Sequence, residues 1–270
     1  MSVLKEICDY KLNQIKQLKN DFSEKFLLDR IKEQENPRGF AKALTKTLKK
    51  NQFALIAELK KASPSKGMIK KDFNIKDIAL SYQEAGAACL SVLTEDRWFK
   101  GSLEDLQEVK TCSKLPVLRK DFILDPWQIL ESRSIGADCI LIILAAVNDT
   151  MAQELINLSK KLGIDTLIEV HNENELDRAI KLDGDLIGIN NRNLKTLTID
   201  IETTIKLAPR IPKKYDIVSE SGIELNEDLN RISQLGIKRF LVGESLIKNS
   251  DIISVTKKLL GLGKNNEKEK

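Results

Sequence analysis

The chain has 270 residues, 41% of them hydrophobic, and is therefore long enough to bury the core of one large domain. Its 44 Lys and Arg residues against 40 Asp and Glu give a formal charge of +4 spread along the sequence, which argues against nucleic acid as a partner. The longest uninterrupted apolar run, residues 139–147, is too short to cross a membrane, so we expect a cytoplasmic protein without membrane contacts.

The residues before the first strand-like run predict helices. In a first stretch, apolar side chains recur near helical spacing at Leu4, Ile7, Cys8, Leu12, Ile15 and Leu18. A second stretch, after Pro37, carries Phe40, Leu44 and Leu48. We therefore predict that residues 1–52 form a helical extension that packs against the main domain or caps one end of it.

Beyond residue 52 one local pattern returns several times: a polar cap, a helical stretch, a glycine, and a short apolar run that ends in polar groups. Glycine can adopt the left-handed conformation that closes a helix, and such helix ends are predicted at Gly86, Gly136, Gly163, Gly184 and Gly236. Helix starts are predicted at Ser102, which forms a capping box with Asp105, and at Asn148 and Asn172. The repeated pattern is that of a βα unit.

Eight apolar runs are strand candidates, at residues 53–57, 89–93, 116–118, 139–144, 166–168, 186–189, 217–218 and 240–242. They lack polar alternation, which is typical of parallel strands covered on both faces. Eight such units favour an α/β fold, a (β/α)8 TIM barrel over residues 53–260, and the polar residues 261–270 predict a disordered tail. An open doubly wound sheet is the alternative, but the chain lacks the GxGxxG and GxxxxGK loops that such sheets often carry.

Polar and charged residues follow seven of these runs, at the barrel end where active sites form. They are Glu58 and Lys60, Thr94 and Glu95, Arg119 to Asp121, Glu169, Asn190 to Arg192, Ser219 to Gly222, and Gly243 to Ser245. Any one of them could be a solvated loop residue or a member of a salt bridge. Together they predict a site of acids, lysines and amides, because charges that face inward need partners or a ligand.

Two glycine-containing segments point to a phosphate group. Ser221-Gly222 follows the seventh run and Gly243-Glu244-Ser245 follows the eighth, where barrels often bind phosphate through main-chain N–H groups. A turn that requires glycine is the competing explanation for each segment.

Other chemistries find little support in the sequence. His171 is the one histidine, and the four cysteines form no CxxC pair, so we expect no metal and reduced, structural thiols. Neither a nucleotide motif nor a GxSxG elbow is present, which leaves acid–base chemistry without a cofactor. His171 could orient a ligand or cap the helix that follows it.

Eight ordered motifs give the chain a resemblance to the indole-3-glycerol-phosphate synthase family, the cofactor-free barrel lyases of tryptophan biosynthesis. They are residues 56–67 (IAELKKASPSKG), 90–95, 99–102, 118–122, 167–171, 187–194, 219–223 and 240–245, so that the resemblance spans nearly the whole chain. Trp127 departs from the tyrosine expected in the Asp-Pro-x-Gln segment, but it touches no predicted catalytic position.

The resemblance implies a substrate, 1-(2-carboxyphenylamino)-1-deoxyribulose 5-phosphate, whose ring attacks the C2 ketone before carbon dioxide and water leave. Lys120 then matches the general acid, a role that suits a lysine whose pKa is lowered by burial or by cationic neighbours. Glu169 would make the later proton transfer, Glu58 would hold or share protons beside it, and Lys60 would offset the substrate's negative charge. Which glutamate makes which transfer is left open.

The same resemblance implies the residues that hold the substrate. Asn190, also counted with the catalytic residues, and Arg192 would orient the anthranilate end, with Ser63 near its carboxylate, and Glu220 would contact ribulose hydroxyls or Lys60. The implied phosphate pocket comprises Ser221, Gly222, Gly243 and Glu244, with the Glu244 side chain turned away from the anion. The implied apolar wall, for which core packing is the alternative role, comprises Phe99, Phe122 and Leu194.

Two alternative functions are compatible with a barrel of this kind. Phosphoribosylanthranilate isomerase is a related barrel, but its first strand carries a cysteine where this chain has Glu58 and Lys60. A catalytically silent barrel that only binds a phosphorylated metabolite is the other alternative, and the intact Lys120 and Glu169 argue against it. We expect a monomer, with a weak oligomer as the alternative.

Overall fold

A closed barrel of eight parallel strands forms the centre of the computed structural model, which describes residues 3–194 and 196–262. In chain order the strands are β1 (Ala54–Leu59), β2 (Cys89–Leu93), β3 (Val117–Lys120), β4 (Cys139–Ile143), β5 (Asp165–Val170), β6 (Leu186–Asn190), β7 (Asp216–Glu220) and β8 (Arg239–Val242). Each strand pairs with the next along the chain, and β1 closes the barrel by pairing with β8. The predicted TIM barrel is confirmed.

Helices precede and follow the strands. They are α1 (Val3–Asp21), α2 (Glu24–Lys32), α3 (Phe40–Leu48), α4 (Ile75–Glu84), α5 (Leu103–Cys112), α6 (Trp127–Ser134), α7 (Asp149–Lys161), α8 (Glu173–Ala179), α9 (Glu202–Leu207), α10 (Asn226–Ser233), α11 (Glu244–Ile247) and α12 (Ile252–Leu259). The predicted caps Ser102, Asn148 and Asn172 are confirmed, because each side chain accepts a hydrogen bond from the N–H three residues later. None of the helices within the described ranges is long and apolar enough to cross a membrane.

Gly184 departs from the predicted pattern of helix ends. Gly86, Gly136, Gly163 and Gly236 have the expected positive φ, whereas Gly184 does not. A Cβ on Gly184 would lie 2.4 Å from Cδ1 of Ile168 in β5. This glycine therefore permits a close approach to the barrel, and the prediction that it closes a helix was wrong.

Five strands, β1, β3, β5, β6 and β7, run further at their carboxyl ends than the apolar pattern predicted, and the added residues include those of the candidate site. Glu58, Lys120, Glu169, Asn190 and Glu220 all lie within strands. In the ladder Glu58 stands opposite Ser91, and Asn190 stands opposite Glu220. Because backbone pairing continues past the last core residue, these polar side chains are fixed by the barrel itself.

The core has two layers. Inside the barrel, alternate strand residues such as Ile56, Leu118 and Leu141 pack together with the thiols of Cys89 and Cys139. A larger cluster lies between the strands and the surrounding helices. All four cysteines are free thiols, as the sequence predicted.

The helical extension covers the carboxyl ends of the strands with its first helix. Leu4 and Ile7 of α1 line a cavity there. Lys11, a buried lysine on the same helix, lies 3.0 Å from Asp121, which directly follows β3. Burial of either charge without the other would be costly, so this buried ion pair holds α1 against the barrel mouth.

The rest of the extension passes down the side of the barrel to its other end. Leu27 of α2 packs with Trp127 of α6. Phe40 and Leu44 of α3 are fully buried against the interior strand residues. The sequence offered packing against the barrel and capping of one end as alternatives, and the structure shows both. The predicted tail lies outside the described residues, apart from Gly261 and Leu262.

Leu44 and Leu12 test the extension's contribution to stability, because both were predicted as apolar helix positions. Leu44 is fully buried, whereas Leu12 is 49% exposed. We expect Leu44→Ala to lower the free energy of unfolding by about 2–5 kcal/mol, through lost contacts and a cavity. Leu12→Ala, the matched control, should change it by about 0.5 kcal/mol or less. Urea unfolding monitored by circular dichroism measures both, and equal losses would contradict the packing described.

Candidate active site

Three adjoining cavities open at the carboxyl ends of the strands, and Lys60 and Arg192 line all of them. The central cavity is lined by Glu58, Lys60, Phe99, Lys120, Phe122, Glu169, Asn190, Arg192, Leu194, Glu220 and Ser221, among others. The glycine-rich cavity adds Gly222, Gly243 and Glu244, and the apolar cavity adds Ser63. The structure thus brings every residue to which the family resemblance gives a role to three adjoining cavities.

An acid–base cluster fills the floor of the central cavity. Lys120 Nζ donates to Glu169 Oε2 at 3.3 Å and lies 3.9 Å from Glu220 Oε2. Beside it, Lys60 Nζ lies 2.8 Å from Glu58 Oε1. The sequence offered Lys60 as a protein partner of Glu220, but the structure pairs Glu220 with Lys120, because Lys60 turns to Glu58 in its own strand region.

The charges of this cluster are close to balanced. Burial penalises the charge of Glu58 and Glu169, but Lys60 and Lys120 around Glu58, and Lys120 with His171 around Glu169, outweigh that penalty and lower both pKa values. Burial and the charge of Glu169 raise the pKa of Glu220 well above its usual range. Within one cluster, Glu58 and Glu169 are therefore shifted toward the carboxylate and Glu220 toward the protonated acid.

Lys120 differs from the sequence expectation in one respect. Burial alone would lower its pKa, as the sequence analysis favoured, but the charges of Glu169, Glu220 and Glu58 outweigh burial and raise it. The ammonium is thus held protonated, in the form that can donate to a developing oxyanion.

A second network holds the β3 strand end from behind. Arg119 donates to Glu131 at 2.8 Å and to Asp121 at 3.1 Å, and Thr94 donates to Asp121 at 2.7 Å. Despite burial, the charges of Lys11 and Arg119 lower the pKa of Asp121 to about 2. Successive strand residues face opposite sides, so this outward network leaves Lys120 directed into the cavity.

Arg192 is held at the boundary between the cavities. Its backbone N–H donates to Asn190 Oδ1 at 3.0 Å, and its guanidinium donates to Ser65 Oγ at 3.2 Å. Ser221 Oγ donates to the same Asn190 oxygen at 2.9 Å. Ser63 lies 3.5 Å from Ser65 through their hydroxyl oxygens. The guanidinium is therefore positioned beside the Ser63–Ser65 turn.

The glycine-rich cavity requires glycine at two of its positions. A Cβ on Gly243 would lie 2.8 Å from Glu58 Oε1, and one on Gly222, whose φ is 78°, would lie 2.6 Å from Ile199. Glu244 lines this cavity, and its carboxylate lies 3.9 Å from Arg192 and 4.0 Å from Lys66. Two cations therefore flank the acidic group of Glu244 at this cavity.

The apolar cavity lies between α1 and the loops that follow the strands. Phe99, Phe122 and Leu194 are half-buried and line it, with the two phenyl centroids 6.3 Å apart. Phe122 and Leu194 also pack against the core cluster inside the barrel, so they border the cavity and contribute to core packing at the same time.

Several contributors were missed from the sequence. Leu4 and Ile7 had been assigned only to a helix face, and nothing local indicated that α1 reaches the mouth. Ser65 stood within a quoted motif but was not singled out. His171 lies 3.2 Å from Glu169, a pairing that strand alternation could have indicated. Across residues 3–194 and 196–262, no group of three or more His, Cys, Asp and Glu residues could hold a metal ion.

Solved structures show the same fold at low identity. The N-acetylmannosamine-6-phosphate 2-epimerase from Clostridium perfringens has a TM-score of 0.59 at 15% identity, covering 78% of this chain and 92% of its own. The N-(5'-phosphoribosyl)anthranilate isomerase from Pyrococcus furiosus has a TM-score of 0.54 at 14% identity, covering 78% and 98%. These likenesses concern the barrel alone.

Sequence relatives are far closer. The indole-3-glycerol phosphate synthase of Zymomonas mobilis subsp. pomaceae is 46% identical over 261 residues, 97% of this chain and 99% of the relative. That of Azospirillum brasilense is 46% identical over 258 residues, 96% and 98%. A model of the family described as indole-3-glycerol phosphate synthase matches residues 4–259. The chain therefore belongs to the indole-3-glycerol phosphate synthase family.

Proposed function

We propose that the three cavities bind 1-(2-carboxyphenylamino)-1-deoxyribulose 5-phosphate and convert it to indole-3-glycerol phosphate, carbon dioxide and water. The observation that carries this proposal is the placement of Lys120 between an apolar cavity and a glycine-rich cavity. The substrate has an aryl ring at one end, a phosphate at the other and the reacting ketone between them. Each part therefore meets a cavity of matching chemistry.

Lys120 acts as the general acid of ring closure. When the aryl carbon attacks C2, the ketone oxygen gains negative charge and needs a proton. The Lys120 ammonium, kept protonated by its glutamate neighbours, donates to that oxygen. Lys60 lies on the adjoining side of the cavity and offsets the negative charge of the substrate.

The glutamates serve the dehydration that follows loss of carbon dioxide. One group must protonate the departing hydroxyl and another must remove a proton from the neighbouring carbon. The lowered pKa of Glu169 suits the base, and the raised pKa of Glu220 suits a donor. Glu58, paired with Lys60 at 2.8 Å, holds that lysine in place.

The remaining residues bind the two ends of the substrate. Arg192, with Ser63 and Asn190 beside it, binds the carboxylate of the anthranilate end, because guanidinium recognises carboxylate through paired hydrogen bonds. Main-chain N–H groups around Ser221, Gly222, Gly243 and Glu244 bind the phosphate. We also propose that the enzyme acts in the cytoplasm as a monomer, as expected from the sequence.

The first test is incubation of the purified protein with this substrate, without added metal or cofactor, while indole fluorescence is followed. We expect fluorescence to rise with enzyme concentration. Absence of product from the folded protein would overturn the proposed function.

Lys120→Ala tests the general acid. We expect kcat to fall by about a hundredfold or more, as loss of a general acid does, while circular dichroism shows that the variant still folds. Lys114→Ala, an exposed lysine just before β3, is the matched control and should keep the original kcat. If Lys120→Ala turned over normally, Lys120 would lose this role.

Arg192→Ala tests recognition of the carboxylate. We expect KM to rise by about tenfold to a hundredfold, equivalent to loss of a charge-assisted hydrogen-bonded pair, with a smaller change in kcat. Arg231→Ala, which removes an exposed arginine on α10, should leave both constants unchanged. A fall confined to kcat would contradict a role in binding the substrate.

A further inference from the structure

Glu169 divides its two carboxylate oxygens between two cations. Oε2 accepts from Lys120 at 3.3 Å, inside the central cavity. Oε1 lies 3.2 Å from His171 Nε2, on the side of the barrel wall. The other ring nitrogen, Nδ1, lies 2.9 Å from Glu175 Oε2, and the His171 backbone N–H donates to the same oxygen at 2.8 Å. A chain of titratable groups therefore runs outward from Lys120 to α8.

His171 has neither of the two roles considered from the sequence. Asn172 caps α8 by accepting from the Glu175 N–H at 3.0 Å, so helix capping does not need the histidine. The His171 side chain also stays outside the three site cavities. Instead it lines an open groove on the outer surface together with Asn172, Glu173 and residues of α9. It therefore stands between the acid–base cluster and water.

The chemistry of the proposed reaction makes such a position useful. Two protons are donated, one to the ketone oxygen and one to the departing hydroxyl, and one proton is removed from carbon. The carboxylate leaves as carbon dioxide and supplies no proton. Each turnover therefore consumes one proton from solvent, while bound substrate occupies the mouth above Lys120.

We propose that His171, held by Glu175, passes a solvent proton through the barrel wall to Glu169 and from there to Lys120. This inference rests on the proposed function. Glu169 first returns the proton taken from carbon to Lys120, which reprotonates Glu220, 3.9 Å away. The Nε2–H bond of the imidazolium then breaks as an O–H bond forms on Glu169, the carboxyl group rotates and protonates the amine of Lys120, and the imidazole ring rotates to take a proton onto Nε2 from water in the groove. His171 acts through Glu169 and is therefore a positioning residue.

The charges around His171 keep it supplied with that proton. Burial would lower its pKa, but hydrogen bonds and charges of Glu169 and Glu175 outweigh burial and raise it to about 9. The charged groups that face it are Glu169 on β5, backed by Lys120, Glu220 and Glu58, and Glu175 on α8. The groove that His171 lines also carries Glu173, Asp200, Glu202 and Lys206. The proton-carrying form exists below that pKa, so the relay is lost as pH rises through about 9.

Two His171 variants separate a relay from a structural contact. His171→Gln keeps polar contacts but has no titratable nitrogen, and His171→Ala opens a space toward the groove. We expect both to lower kcat by about tenfold to a hundredfold, within the lower range for an acid–base group, with KM unchanged. Added imidazole should restore kcat of His171→Ala toward the original value, whereas His171→Gln should not respond.

Glu175→Gln and Glu173→Gln provide the pH test on α8. Removal of the Glu175 charge lowers the pKa of His171, so kcat should fall at a lower pH than in the unaltered enzyme. Glu173→Gln, the control on the same helix and groove, should keep the original pH profile. This pair gives a result even if His171→Ala fails to fold.

The outcomes distinguish the relay from the reaction itself. If the unaltered enzyme forms no indole product, the proposed function and the relay both fail. If it is active but His171→Gln turns over at the same rate, or folded His171→Ala ignores imidazole, the relay alone is overturned and Glu169 must be reprotonated from the mouth.

Discussion

Mutual neutralisation of buried charges at the carboxyl ends of the strands is the interaction on which the site depends. Glu58, Glu169 and Glu220 are almost fully buried, and each would be costly as an isolated ion. Lys60 and Lys120 offset Glu58 and Glu169, whereas burial and the charge of Glu169 together raise the pKa of Glu220. The pKa shifts of the cluster thus follow from burial and from the charges that the buried groups exert on one another.

The barrel keeps these five groups together without flexible loops. Four of them lie in strands whose backbone pairing fixes their direction, and only Lys60 stands one residue beyond its strand. Behind β3, the network of Arg119, Asp121 and Thr94 occupies the opposite side of the strand. A shift of one residue in the register of β3 would turn Lys120 out of the cavity and turn the side chains of the outward network into it. The register of β3 therefore determines where Lys120 lies.

Much of the fold and of the candidate site could be predicted from the sequence, because the local sequence patterns agree with the fold. Apolar runs located all eight strands, and polar residues at their ends located the cavity linings, since parallel strands bring those ends together. Strand ends were placed too early, because Glu58 or Glu169 in a barrel mouth cannot be distinguished locally from a loop residue. Contacts distant in sequence, such as Lys11 with Asp121 or Leu4 with the apolar cavity, carry no local signal. The pKa of Lys120 likewise depends on strands far along the chain.

The helical extension that clasps both ends of the barrel has a consequence for the order of folding. The Ala41 N–H donates to Asp165, 124 residues later, and the Arg38 N–H donates to Asp138, 100 residues later. During synthesis the first helices therefore leave the ribosome long before the strands that receive them exist. Phe40 and Leu44 must remain exposed until β5 has been made, and loop closure of this length slows their docking. While the chain is incomplete, the apolar face of α3 that carries Phe40 and Leu44 is thus the surface most in need of protection.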